Sequence, residues 1–194
     1  MVHLLPHWTH PGKEGQTVPV WCYSNCDTVE LFLNGELLGR QHRDDDLMRL
    51  EWLVPYEAGI LEAFGIMDGD ETPAAMTNQQ TAGNPARIRF EVDKQSLQAD
   101  GYDLAHITVR VEDQRGVLVP TADALITFEC SGGVLRLDNG DPLDELSFNG
   151  SQKRAFRGLC IALVQADAPG KITLKARAAG LVPATATLWA HDLI

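Results

Sequence analysis

The chain has 194 residues, with 16 Lys and Arg against 27 Asp and Glu, a formal net charge of −11. That length is too short for a complete (β/α)₈ barrel, which needs about 250 residues, and the charge offers no basic footprint for phosphate backbones, so nucleic acid is not an expected partner. At 44% hydrophobic and 22% charged residues the composition is that of a folded globular chain with room for one large domain or two of about 100 residues, and no apolar run approaches the roughly 20 residues of a membrane span.

Met1 to Pro6 shows no basic segment followed by a long apolar one, so it does not read as a targeting signal. The chain enters at once on strand-like sequence and reads as a piece of a longer protein. From there the repeating signal is alternation with period two, cut by turn residues every 8–12 positions, the pattern of β-sandwiches. Val18, Val20 and Cys22 alternate with Pro19, Trp21 and Tyr23. Thr28 to Leu33 and Glu36 to Gly39 flank Asn34-Gly35, the strongest short hairpin signal, because both residues tolerate the positive φ of a type I′ turn. Leu50, Trp52 and Val54 form the next apolar face, and after a turn at Pro55 to Gly59 come Leu61, Ala63 and Gly65.

Thr72 to Pro85 is rich in Thr, Asn, Gln, Ala, Gly and Pro, with little to bury. Its later part, ending near Asn84-Pro85, is the expected passage between domains, which divides the chain into 1–83 and 84–194. The second half restarts the alternation at Ile88, Phe90 and Val92. Ala105, Ile107, Val109 and Val111 form an inner face, and His106, Thr108, Arg110 and Glu112 a solvated one. Ala124 to Cys130, Leu159 to Leu163, Ile172 to Ala176 and Ala184 to Leu188 follow. Gly132-Gly133, Asn139-Gly140, Asn149-Gly150 and Pro169-Gly170 punctuate them. At least seven strands in about 110 residues match an immunoglobulin-like sandwich, although the Cys pair around a core Trp is missing. The fold class expected is all-β, two immunoglobulin-like β-sandwich domains in tandem.

The candidate chemistry is thin. Cys22 and Cys26 on one extended strand would lie about 13 Å apart, too far for a disulfide unless the chain turns. Cys130 and Cys160 occupy different apolar strands and could pair, but buried free thiols are common. Zinc-finger spacing is missing. Glycoside hydrolysis needs two carboxyl groups, about 5–5.5 Å apart for a retaining mechanism. The 27 acidic residues lie almost all on polar strand faces or in turns, so no pair is assigned. His3 to His10 is the densest polar-aromatic cluster. His7, Trp8 and His10 could form a metal site or a sugar platform, with Trp21 and Tyr23 as further aromatics. The preferred reading is a strand and loop that pack Trp8 against a neighbouring domain. Asp44-Asp45-Asp46 reads as a solvated loop. Asp138, Asp141 and Asp144 gather enough oxygens to be weak calcium candidates, yet Gly140 and Pro142 break EF-hand spacing, and Asn-Gly and Asp-Pro are ordinary turn formers. No nucleophile elbow, phosphate loop or H-E-x-x-H occurs, and no cofactor is expected.

One resemblance covers nearly the whole chain. His3-Leu4-Leu5-Pro6-His7-Trp8, Gly12-Lys13-Glu14-Gly15, Ser24 to Gly35, and Trp52-Leu53-Val54-Pro55-Tyr56-Glu57-Ala58-Gly59 together resemble the immunoglobulin-like domain that follows the catalytic barrel in bacterial β-galactosidases of glycoside hydrolase family 2. Ala99-Asp100-Gly101-Tyr102-Asp103-Leu104-Ala105, Val119-Pro120-Thr121-Ala122, Asp138-Asn139-Gly140-Asp141 and Ala155 to Cys160 resemble the next C-terminal domain of those enzymes, which is also like adhesin repeats.

The resemblance implies that the catalytic glutamates lie on a barrel. The family's acid/base follows an Asn, and this chain contains no Asn-Glu dipeptide, so no catalytic residue carries over. The expectation is a non-catalytic C-terminal fragment that supports the barrel, the cleft rim or oligomer contacts, with the parent exported to the periplasm or cell surface. The alternative is a carbohydrate-binding module using exposed aromatics. If the barrel is the partner, Leu5 and Trp8 are expected to be exposed in an apolar contact patch.

Overall fold

The computed structural model describes residues 1–44, 49–70 and 72–192; Asp45 and Asp46 of the acidic run lie outside them. No helix occurs among the described residues, and the chain divides into two compact units, Met1–Thr81 and Ala82–Ile194.

The first unit contains β1 (Val2–Leu5), β2 (Thr17–Ser24), β3 (Thr28–Leu33), β4 (Glu36–His42), β5 (Leu50–Pro55), β6 (Ile60–Ile66) and β7 (Ala75–Gln80). They form two antiparallel sheets, ordered β1-β2-β5 and β4-β3-β6-β7. The alternation works as expected. Val18, Val20 and Cys22 of β2, Val29, Leu31 and Leu33 of β3, Leu50, Trp52 and Val54 of β5, and Leu61 and Ala63 of β6 are all buried in one cluster. Asn34 and Gly35 have φ of 52° and 84°, both positive as a type I′ hairpin turn requires. The Asn34 side chain then ties this hairpin to the next turn. Its Oδ1 accepts from the Ile60 N–H at 2.9 Å and its Nδ2 donates to the Ala58 carbonyl at 3.3 Å. A Cβ on Gly59 would stand 1.7 Å from that Oδ1, so only glycine leaves room for the amide.

β7 is one of the strands that period-two reading missed, with Ser96–Gln98, Val134–Asp138 and Gln152–Arg154 of the second unit. Ala-Met-Thr-Asn-Gln-Gln has no buried apolar face, yet its backbone pairs with β6 from Ala75↔Gly65 to Gln80↔Ile60. An edge strand needs only one partner's ladder, so polar side chains do not exclude it. The division between units comes just before the boundary read from the sequence. Ala82 already packs against the second core, and the Gly83 N–H donates to Asp113 Oδ2 at 2.8 Å.

The second unit contains β8 (Arg87–Val92), β9 (Ser96–Gln98), β10 (Leu104–Glu112), β11 (Leu125–Ser131), β12 (Val134–Asp138), β13 (Gln152–Arg154), β14 (Leu159–Gln165), β15 (Gly170–Arg177) and β16 (Ala184–His191). Its sheets are ordered β12-β14-β10-β8 and β13-β11-β15-β16-β9, and only β9 runs parallel to its neighbour, β16. Ile107, Val109, Ile126, Phe128, Ile172, Leu174 and Leu188 fill the space between the sheets. On β14 the smaller Cys160, Ala162 and Val164 point inward, and Leu159, Ile161 and Leu163 are half-buried outside. A sandwich core filled from both sheets takes small residues where the facing side chains are large.

Two of the buried polar residues are carboxylates held by cations and N–H groups. Glu112, expected on the solvated face of its strand, is 0% exposed instead: its carboxylate receives Arg87 at 3.1 Å and Arg110 at 3.2 Å, and those cations permit the burial. Burial alone would raise the Asp113 carboxyl. Hydrogen bonds from the N–H groups of Gly83, Val117 and Arg115, and from the Arg115 guanidinium, outweigh it and hold the group below the usual carboxylate range. All four cysteines are free thiols; Cys130 and Cys160 lie on opposite sheets and are not bridged.

Candidate functional site

Trp8 corrects the sequence reading. It is 0% exposed, so it is neither a sugar platform nor an exposed contact. Its indole N–H donates to the Glu57 carbonyl at 2.9 Å, and its ring meets Tyr56 edge-on at 5.1 Å. The Thr81 hydroxyl donates to the Trp8 carbonyl at 2.7 Å and accepts from the Gly59 N–H at 3.0 Å. An indole is large and carries one donor, so it goes inside when a carbonyl lies in reach. Trp8 is thus a plug of its own unit, not of a neighbour.

His7 and His10 stack with ring centroids 4.8 Å apart, and His10 also meets Trp8 and Tyr56 edge-on. The His10 Nε2 is buried without a hydrogen-bond partner. Burial, and then the nearby Lys13 charge, lower its pKa. A neutral imidazole in an aromatic cluster is a packing group. No set of three or more His, Cys, Asp or Glu side chains is arranged to hold a metal among the described residues.

The Asp138–Asp144 loop uses its carboxylates locally. Asp138 Oδ1 accepts from the Asn139 N–H at 2.7 Å and Asp141 Oδ1 from the Leu143 N–H at 3.0 Å. Asp144 Oδ2 accepts from the buried Lys153 ammonium at 2.8 Å, and Lys153 also donates to the Leu146 carbonyl at 2.7 Å. The Lys153 bond is the main reason that the Asp144 carboxyl lies below the usual range. These contacts turn and pin the loop, which overrides the calcium reading of Asp138, Asp141 and Asp144.

Cys22 and Cys160 offer no nucleophile. Burial pushes Cys22 up to about 11 and Cys160 up to about 12, so both remain protonated near neutral pH.

The outer faces of the first unit are the feature left over. Register places Leu5 opposite Trp21, Trp21 opposite Glu51, and Pro19 opposite Leu53 on the outer side of β1-β2-β5. Leu5 is 38% and Leu53 69% exposed, so Leu5 does lie where an apolar patch was expected. Trp21 is half-buried, with the Arg49 guanidinium 3.9 Å from its ring centroid. On the other sheet Phe32 and Phe64 meet edge-on at 5.5 Å, flanked across the strands by the exposed Leu37 and Met76. Sequence reasoning singled out Leu5 and Trp21 but followed the inward positions elsewhere and passed over Phe32, Leu37, Leu53, Phe64 and Met76. Their signal was present all the same: apolar residues at the outward positions of strands whose inward positions were already filled.

The profile described as glycoside hydrolase family 2 C-terminal domain 5 matches residues 88–187, and one described as a domain of unknown function matches residues 15–73. A β-galactosidase of Bacteroides ovatus is 38% identical over 100% of this chain and 23% of its own length. A β-glycosidase of Bacteroides vulgatus superposes with a TM-score of 0.89 at 38% identity, covering 97% of this chain and 24% of that one. A family 2 glycosyl hydrolase of Bacteroides cellulosilyticus gives 0.88 at 33% identity, covering 96% and 24%. The chain therefore spans about a quarter of the length of the relatives it matches.

Proposed function

The chain belongs to the C-terminal region of glycoside hydrolase family 2, and from that premise we propose that it buttresses the catalytic part of a β-galactosidase-type enzyme. It corresponds to a non-catalytic C-terminal part of its relatives. The observation that carries the supporting role is the pair of apolar outer faces on the first unit, Leu5, Trp21 and Leu53 on one sheet and Phe32, Leu37, Phe64 and Met76 on the other. A sheet face that remains in water carries polar residues; contiguous exposed apolar groups mark contact surfaces. The barrel is the proposed occupant of at least one of them, and a second copy of the enzyme is an acceptable occupant of the other. Export of the parent to the periplasm or cell surface is part of the proposal, and it rests on the family resemblance alone.

The coding sequence adjoining this chain provides the first test: a family 2 barrel in the same reading frame supports the proposal, and its absence overturns it. The chain and that catalytic segment, produced separately and mixed, should co-elute. Leu53→Asp should weaken the association by roughly tenfold, since a buried leucine contributes about 1.5–3 kcal/mol. On its own the chain should show no turnover of a chromogenic galactoside above a buffer blank.

A further inference from the structure

Trp189 stands apart from the other tryptophans. It is 52% exposed on β16, while its strand neighbours Leu188 and Ala190 are buried at 0% and 5%. Burying an indole outside an interface is favourable by several kcal/mol, so a strand that presents one to solvent leaves that energy unused within this chain. Its surroundings differ from the apolar faces of the first unit. Register places Lys171 of β15 on one side of it and Ser96 of β9 on the other. Along β16 the residues on the same face are Thr187 and His191, and opposite these lie Thr173 and Gln98. An open groove of about 550 Å³, lined by Ser96, Leu97, Gln98, Asp103, His191 and Asp192, adjoins the same strand edge.

We propose that Trp189 and this groove form a binding site for a neutral oligosaccharide. One flat apolar ring encircled by hydroxyl, amide, imidazole and ammonium groups suits a pyranose, whose C–H face is apolar and whose rim is hydroxyl groups. A protein interface core would put further apolar side chains around the tryptophan, and here every same-face neighbour named is polar. The charge pattern selects within the sugars. Asp103 and Asp192 line the groove, and Asp103 is kept ionised by the Lys94 ammonium and the Gln98 N–H. Carboxylates accept from sugar hydroxyls, and the Lys94 and Lys171 ammonium groups balance the two carboxylates, so a sugar without charge suits the site. The backbone of the platform is held in place, since the Trp189 N–H donates to the Gln95 carbonyl at 2.8 Å. The site lies wholly in the second unit and does not depend on the docking of the first.

The test is calorimetric titration of the whole chain with β-1,4-galactotetraose, cellotetraose and a tetragalacturonide. A saturable, millimolar or tighter response to one of the neutral tetrasaccharides, with none to the acidic one, is the expected result. Trp189→Ala should weaken it roughly tenfold, from the loss of one stacking contact, and Gln98→Ala by less, with both variants melting at the parent temperature. Silence across the neutral sugars, tighter binding of the acidic one, or an affinity unchanged by Trp189→Ala would each overturn the assignment. So would a Trp189→Ala variant whose only defect is weaker association with the catalytic segment, because that would make the face a protein contact. The titration uses this chain alone, so it can fail while the buttressing role stands, and the reverse.

Discussion

The two units share a fold class and distribute charge in opposite ways. Residues 1–81 carry 4 Lys and Arg against 13 Asp and Glu, a net −9, whereas residues 82–194 carry 12 against 14, a net −2. In the first unit the charge collects in connections. Asp27, Asp44, Asp68 and Asp70 lie in the loops that join β2 to β3, β4 to β5 and β6 to β7, while Glu30, Arg40, Glu51 and Glu62 stand among the apolar groups on the outer sheet faces. In the second unit charge covers the sheets. Arg89 and Glu91 lie on β8, Arg110 on β10, and Arg177 pairs with Glu129 across β15 and β11 at 3.2 Å. The difference teaches that net charge alone does not describe a surface: the more acidic unit is the one with the stickier faces.

The comparison breaks most visibly in the cores. Trp8→Ala should destabilise the first unit by about 3–5 kcal/mol, through the cavity and the orphaned Glu57 carbonyl, and leave the second unit's amides protected in hydrogen exchange. Loss of protection across both units would show that they do not unfold separately. Lys153→Met is the reciprocal change. It removes the buried ammonium that holds the half-buried Asp144 carboxylate and the Leu146 carbonyl, at a cost of about 1–3 kcal/mol; urea melts monitored by amides of β11 and β14 would read it.

Acidification should separate the units by the pH window in which each weakens. The folded pKa of His10 is lowered, so the unfolded state binds its proton first; the stability it contributes is present above about pH 6.5 and lost as pH falls below it. The groups facing it are His7, Lys13, Trp8 and Tyr56, and none is a carboxylate that would favour the imidazolium. Asp113 and Asp144 are lowered too, but as carboxylates they stabilise the second unit above about pH 4 and give way only as pH falls below that. Melting between pH 7 and 5 should therefore weaken the first unit and spare the second. A His10→Phe variant should flatten the first unit's dependence, and an unaltered pH profile would count against this account. The smallest effect on folding is Leu53→Asp, expected within about 0.5 kcal/mol as an exposed substitution. Its larger effect on association with the catalytic segment makes it the sharpest separation of folding from docking.

Most strands were legible because burial on one sheet face leaves an alternation that reads directly: Val18-Val20-Cys22, Leu50-Trp52-Val54 and Ala105-Ile107-Val109-Val111 all point inward as expected. β7 was not legible, since Met76 to Gln80 is strand through its ladder to β6 and not through burial. The candidate residues fared less well for a related reason. Trp8, His7 and His10 are close in sequence and rich in functional groups, but whether an indole faces a sugar or a core depends on a carbonyl 49 residues away. Asp138, Asp141 and Asp144 have the composition of an ion loop, and their oxygens were taken by N–H groups and by Lys153 from another strand.

What the sequence by itself determined was the all-β class, the inward set of most main strands though not of β14, whose inward residues are Cys160, Ala162 and Val164, the Asn34-Gly35 hairpin, and membership of a family whose catalytic residues this chain does not contain. These follow from local rules: side-chain period, turn stereochemistry and short motifs. Only the tertiary structure decided which aromatics remain in water. Trp8 is plugged and Trp189 exposed because exposure is settled by what arrives from distant strands, and no local pattern records that.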